Sequence, residues 1–146
     1  MDSRLQLYND IKTKIEEKVP AIAHVDLWNE NVTYIEQEET FPLPSLFIEF
    51  DTIDWQPVKD DGCGPCTVGY GQIRLHLVTE WGENSYNEGF TLLEKTLDAL
   101  ISLGSYDSDS SYRVTYPTRS YTNHSHMELL ENIEQLKVRY VRRWKE

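Results

Sequence analysis

Gln72-Ile73-Arg74-Leu75-His76-Leu77-Val78 alternates apolar and polar side chains with a period of two, and this alternation decides the fold. Ile73, Leu75 and Leu77 point to one face of a strand that runs roughly from Gly71 to Trp81, and Arg74 and His76 point to the other. Upstream, Ser45-Leu46-Phe47-Ile48-Glu49-Phe50 reads as a second strand. Its entry, Phe41-Pro42-Leu43-Pro44, is held extended by its prolines. Two strong strands in succession with a turn-rich connection imply an antiparallel pair joined by a long loop.

The remaining segments extend this pair into a domain. Leu5, Tyr8, Ile11 and Ile15 fall at helical spacing among Asp10, Lys12, Lys14, Glu16 and Glu17, which predicts an amphipathic helix ending before Pro20. Val25 to Ile35 reads as two short strands around the turn Asn29-Glu30-Asn31, followed by the acidic loop 36–40. Phe90, Leu93, Leu97, Leu100 and Ile101 form the stripe of a second helix, with Gly104 as its C-cap. Tyr112-Arg113-Val114-Thr115-Tyr116 predicts a strand that stops at Pro117. In the last element, about Glu131 to Trp144, Leu136, Val138 and Tyr140 share one face and Lys137, Arg139 and Val141 the other. The result is a single α+β domain over residues 1–146, a mostly antiparallel sheet with two helices on one face. The terminal strand and the strand at 45–50 are the expected sheet edges.

Charge and composition exclude several functions. The chain of 146 residues is long enough to bury a core without staples, and its hydrophobic content of 39% fits a folded protein. A net charge of -11 argues against direct binding of nucleic acid or an anionic membrane. Residues 1–61 carry 5 Lys/Arg against 14 Asp/Glu, whereas residues 112–146 carry 7 against 4. An acidic front and a weakly basic tail suit opposite sides of a self-associating subunit. Met1-Asp2-Ser3-Arg4-Leu5 lacks the basic and apolar regions of a secretory signal, and no apolar run approaches a bilayer span, so a cytosolic product is expected.

Candidate chemistry is sparse. Cys63-Gly64-Pro65-Cys66 spells the thioredoxin active site, but a reactive thiolate there needs a helix starting at the first cysteine. This motif instead follows Asp60-Asp61-Gly62, whose charges oppose thiolate formation, and runs into a stretch with two glycines, Gly69 and Gly71. Cys63 and Cys66 with His124 and His126 supply four ligands suited to zinc, as an alternative to an exposed pair of thiols on a loop. His76, beside Arg74 on the polar face of its strand, reads as a surface or cross-strand partner rather than a base. Glu49 and Asp51 share a face, yet no opposing carboxylate is evident, so Glu49, Asp51 and Asp54 read as solvent-facing. There is no nucleophile elbow, P-loop or dinucleotide fingerprint. Trp28, Trp55, Trp81 and Trp144 sit near element ends, as interface anchors or as lids on local core.

Three stretches carry a family resemblance: His24-Val25-Asp26-Leu27-Trp28-Asn29, then Phe41 to Phe50, then Ile73-Arg74-Leu75-His76-Leu77-Val78-Thr79-Glu80. They resemble small prophage-encoded proteins of the Bacteroidetes type. The order of elements resembles the phage tail terminator and tail-completion (head-tail joining) family. The resemblance implies a structural protein without catalysis or cofactor, a homo-oligomer assembled as a ring, commonly of six subunits. The implied partners are tail-tube and head-connector proteins, with no membrane and no sequence-specific nucleic acid. The implied location is the host cytoplasm during assembly and then the virion tail. The Cys-Gly-Pro-Cys stretch departs from that pattern. On this reading residues 56–71 and 105–111 are partner-contacting loops, and Trp55, Cys63, Cys66, Tyr70, Arg139, Arg142 and Trp144 are the expected interface residues.

Overall fold

Two helices and five strands follow one another in a computed structural model that describes residues 3–28, 42–58, 66–82, 85–101, 103–104, 111–123 and 129–143. The elements are α1 (Ser3–Lys18), β1 (His24–Leu27), β2 (Ser45–Val58), β3 (Cys66–Glu80), α2 (Ser85–Leu100), β4 (Tyr112–Asn123) and β5 (Leu129–Arg143). The strands form one sheet in the order β1-β2-β3-β5-β4. All pairings are antiparallel except β1 with β2, where His24–Leu27 runs parallel to Ser45–Ile48. This is the α+β architecture expected from the sequence.

The alternation in β3 divides the sheet into two faces. Leu46, Ile48, Ile73, Leu75, Leu77, Leu136, Val138 and Tyr140 are fully buried on the face that α1 and α2 cover, with Tyr112 and Val114 from β4. α1 contributes Leu7, Ile11 and Ile15 to this core, while Leu5 is 50% exposed. The helix therefore uses the four-residue spacing from Leu7 rather than the stripe starting at Leu5. α2 buries Leu92, Leu93, Thr96 and Leu100 and leaves Phe90 48% exposed, so its stripe is rotated from the expected one. Thr96 is tolerated there because its hydroxyl donates to the Leu92 carbonyl at 2.8 Å.

Several boundaries differ from the sequence reading. β2 and β3 extend to Val58 and from Cys66, so their connection is shorter than expected, and residues 56–58 and 66–71 are strand. The glycines in this stretch make room for packing. A Cβ on Gly69 would stand 2.6 Å from Ile53 Cγ2 and 2.8 Å from Trp55 Cε3, where a register irregularity between Phe50 and Ile53 turns β2 across the sheet. Pro117 does not end β4. The strand passes through it with shifts in register, which an edge strand accommodates because its outward amide needs no partner. Gly104, at φ 85°, lies beyond the last turn of α2 and lets the chain pass against the Tyr112 carbonyl; it bridges to Arg113 of β4 rather than capping the helix.

The expected edges are also reassigned. β5 is an interior strand, paired with β3 along Leu129–Arg143 and with β4 on its other side. β2 is interior over Ser45–Ile48, where β1 flanks it. Long-range pairing sets strand order, and alternation in one segment carries no record of it. The expected turn at 29–31 and the loops at 36–40 and 105–110 lie outside the described residues.

Candidate functional site

The second face of the sheet gathers the charged residues that alternate with the core. Glu49 lies opposite Arg74, and Phe47 opposite His76. Arg74 donates from Nη1 to Glu49 Oε2 at 3.0 Å, from Nη2 to Asp51 Oδ2 at 2.8 Å and from Nε to Gln135 Oε1 at 3.0 Å. His76 lies between two carboxylates, with Nε2 2.7 Å from Glu49 Oε1 and Nδ1 2.6 Å from Glu131 Oε2. Glu131 also accepts from Asn123 Nδ2 at 3.0 Å. Side chains from β2, β3, β5 and β4 are thus linked in one chain of hydrogen bonds.

Burial makes this network strong. His76 is 4% exposed and Glu131 3%. The Trp28 ring stacks parallel on the imidazole at a centroid distance of 3.8 Å and meets Phe47 edge-on. Both contacts are N–H···O bonds only when the ring carries two protons, and the charged bond is then about twice as strong as a neutral one. Asp51 is exposed; its carboxyl lies below the ordinary carboxylate range because the Thr52 amide donates to it and, secondarily, because of Arg74. With both nitrogens engaged and its face covered by Trp28, His76 has no position from which to take a proton from a substrate. The arrangement ties four strands together. Among the described residues no group of three or more His, Cys, Asp or Glu could hold a metal ion.

Glu49 is therefore half-buried and paired rather than solvent-facing, and its opposing carboxylate is Glu131, reached through His76. Asp51 and Asp54 are exposed as expected. Glu131 and Trp28 were the missed members. The available signal was parity, since Glu131, Ile133 and Gln135 alternate with the core positions Leu136, Val138 and Tyr140.

Farther along the same face, Lys137 Nζ lies 5.4 Å from the Tyr70 ring centroid and 5.8 Å from that of Tyr116. Tyr70, Tyr116 and Tyr121 are each more than 40% exposed. A concave patch lies here, lined by Asp51, Asp54, Tyr70, Gln72, Tyr116 and Lys137 among others. Arg139 stands beside Tyr70 and opposite Arg113 in the register. On the helix-covered face, Trp55 carries the Arg142 guanidinium at 4.7 Å and meets Tyr140 at 6.3 Å. Four of the expected interface residues thus fall into two pairs on opposite faces: Tyr70 with Arg139, and Trp55 with Arg142.

Cys66 is not on an exposed loop. It is the first residue of β3, 5% exposed, in a small apolar cluster with Val68 and Val141. Strand alternation buries it on the same face as Val68. Cys63, His124, His126 and Trp144 lie outside the described residues.

No family model matches the chain, and no curated protein sequence matches it. Its fold is similar to that of a chain from the virion of a native gene transfer agent particle, with a TM-score of 0.56 at 12% identity. The match covers 93% of this chain and 95% of that one, so the likeness extends over the whole domain in both. Among the described residues no helix is long and apolar enough to cross a membrane.

Proposed function

We propose that this chain is a structural, non-catalytic subunit of a phage-like virion, of the tail terminator or tail-completion kind. It forms a homo-oligomeric ring that caps the tail tube and joins it to the head connector. It assembles in the host cytoplasm and ends in the virion. The observation that carries this reading is the fold likeness to a virion chain over nearly the full length of both proteins. The physical features fit it: the polar network is spent on holding strands together, and exposed tyrosines on the sheet suit a protein interface. A redox or zinc role for Cys63 and Cys66 is the alternative reading; Cys66 stands at the start of β3 in a small apolar cluster with Val68 and Val141.

The neighbouring genes test the reading. Capsid, portal, tail-tube and tape-measure frames flanking this gene are the expected finding. A metabolic or redox operon around it overturns the proposal.

A further inference from the structure

The register irregularities of the sheet meet at one place on its second face. β2 shifts register between Phe50 and Ile53, around Asp51 and Thr52, and β4 shifts on both sides of Pro117, between Tyr116 and Thr118. Bulges of this kind re-aim side chains, and all four of these flanking residues line the same concavity. It is open to solvent and encloses about 610 Å³, inside the roughly 300–1,000 Å³ of small-molecule sites. β2 also supplies Asp54, β3 supplies Tyr70 and Gln72, and β5 supplies Lys137.

The chemistry of this lining selects its ligand. Asp51 is fixed by the Thr52 amide at 2.8 Å and neutralised by Arg74 at 2.8 Å. Among the described lining residues one acid, Asp54, and one base, Lys137, then remain, so the concavity favours an ion of neither sign. Thr52, Gln72, Thr118 and the two phenols each donate and accept, as the hydroxyls of a ligand do in return. The Tyr70 and Tyr116 rings are 41% and 53% exposed, which leaves apolar surface for a C–H face to cover. We propose that this concavity binds a neutral saccharide. Its ring carbons pack on Tyr70 and Tyr116, and its hydroxyls bond to Asp51, Asp54, Gln72 and Lys137. A wholly apolar molecule would strand those polar groups, and an ion would set a like charge against either Asp54 or Lys137. The site does not depend on ring assembly.

Amide chemical-shift mapping on the isotope-labelled full chain tests it. The probes are maltotriose, cellotriose and N-acetylated chitotriose at millimolar concentration, then dextran and solubilised cell-wall glycan. Shifts centred on residues 51–54, 70–72, 116–118 and Lys137 with one of these probes are the expected result. Affinity stays the same at low and high salt, because the ligand carries no charge. Tyr116→Ala, at an exposed position, weakens binding about ten-fold through loss of one packing surface. Asp54→Asn keeps an acceptor at its position and retains most of the affinity. A response to a trisaccharide assigns the site to short sugars, and a response to the polymers alone assigns it to the interior of a polysaccharide chain. No shift with any probe, shifts away from these residues, or binding that falls steeply with salt overturns the proposal.

Discussion

His76→Ala is expected to destabilise the protein by roughly 3 kcal/mol, the upper end of the cost of leaving a buried acceptor without one of its hydrogen-bond donors. The structure sets this magnitude. Glu131 is 3% exposed and loses its bond at 2.6 Å, keeping the Asn123 amide at 3.0 Å as a partner. Glu49 is only half-buried and still holds Arg74, so water and the guanidinium compensate its loss. The missing ring also leaves a gap beneath Trp28. For a domain of this size, roughly 3 kcal/mol corresponds to a fall in Tm of about 10 °C. Urea unfolding at neutral pH, followed by circular dichroism and by tryptophan fluorescence, measures it. If the cost is a buried carboxylate that has lost its bond to His76, adding Glu131→Gln to His76→Ala recovers part of the loss. A loss under about 0.5 kcal/mol, or a double variant less stable than His76→Ala, would refute the reasoning.

Gly69→Ala should cost about 1–3 kcal/mol, read from the same urea transitions, because its Cβ meets Ile53 and Trp55 at under 3 Å and neither can withdraw from the bulged strand. Burial holds the Glu134 carboxyl above the ordinary carboxylate range, against the opposing bond from the Ser120 hydroxyl. Its stabilising contribution is complete at acid pH and lost as pH rises through the raised value, so Glu134→Gln should raise Tm at pH 7 and leave it nearly unchanged at pH 4. Burial, then Asp10, push the Tyr112 hydroxyl well above its usual range, so its contribution is lost as pH climbs past about 10. Tyr112→Phe should lower stability at pH 7 by about 1 kcal/mol and flatten the alkaline limb of a Tm-against-pH profile.

What was legible in the sequence is what local periodicity encodes. Ile73, Leu75 and Leu77 against Arg74 and His76 give both faces of the central strand, and Leu136, Val138 and Tyr140 do the same for β5. With two helices, that alternation suffices for the fold class. Strand order was not legible, because β5 inserts beside β3 through contacts across 49 to 77 residues, where a segment's own pattern is silent. The same distance hid the partner of His76, since Glu131 reaches it 55 positions away. Helix faces failed for a smaller reason. Leu5 and Leu7 are both apolar and two residues apart, and only the packing against the sheet selects Leu7. Cys66 shows loop expectation overridden by strand parity: the second cysteine of the Cys-Gly-Pro-Cys stretch is the first residue of β3, buried with Val68 and Val141.

The central claim is that this chain is a ring-forming virion subunit, and negative-stain electron microscopy of the purified protein with the tail-tube subunit of its own locus tests it most directly. Closed rings of uniform diameter seated on the ends of tubes are the predicted result. Tubes with bare ends beside unassembled monomer would contradict the claim.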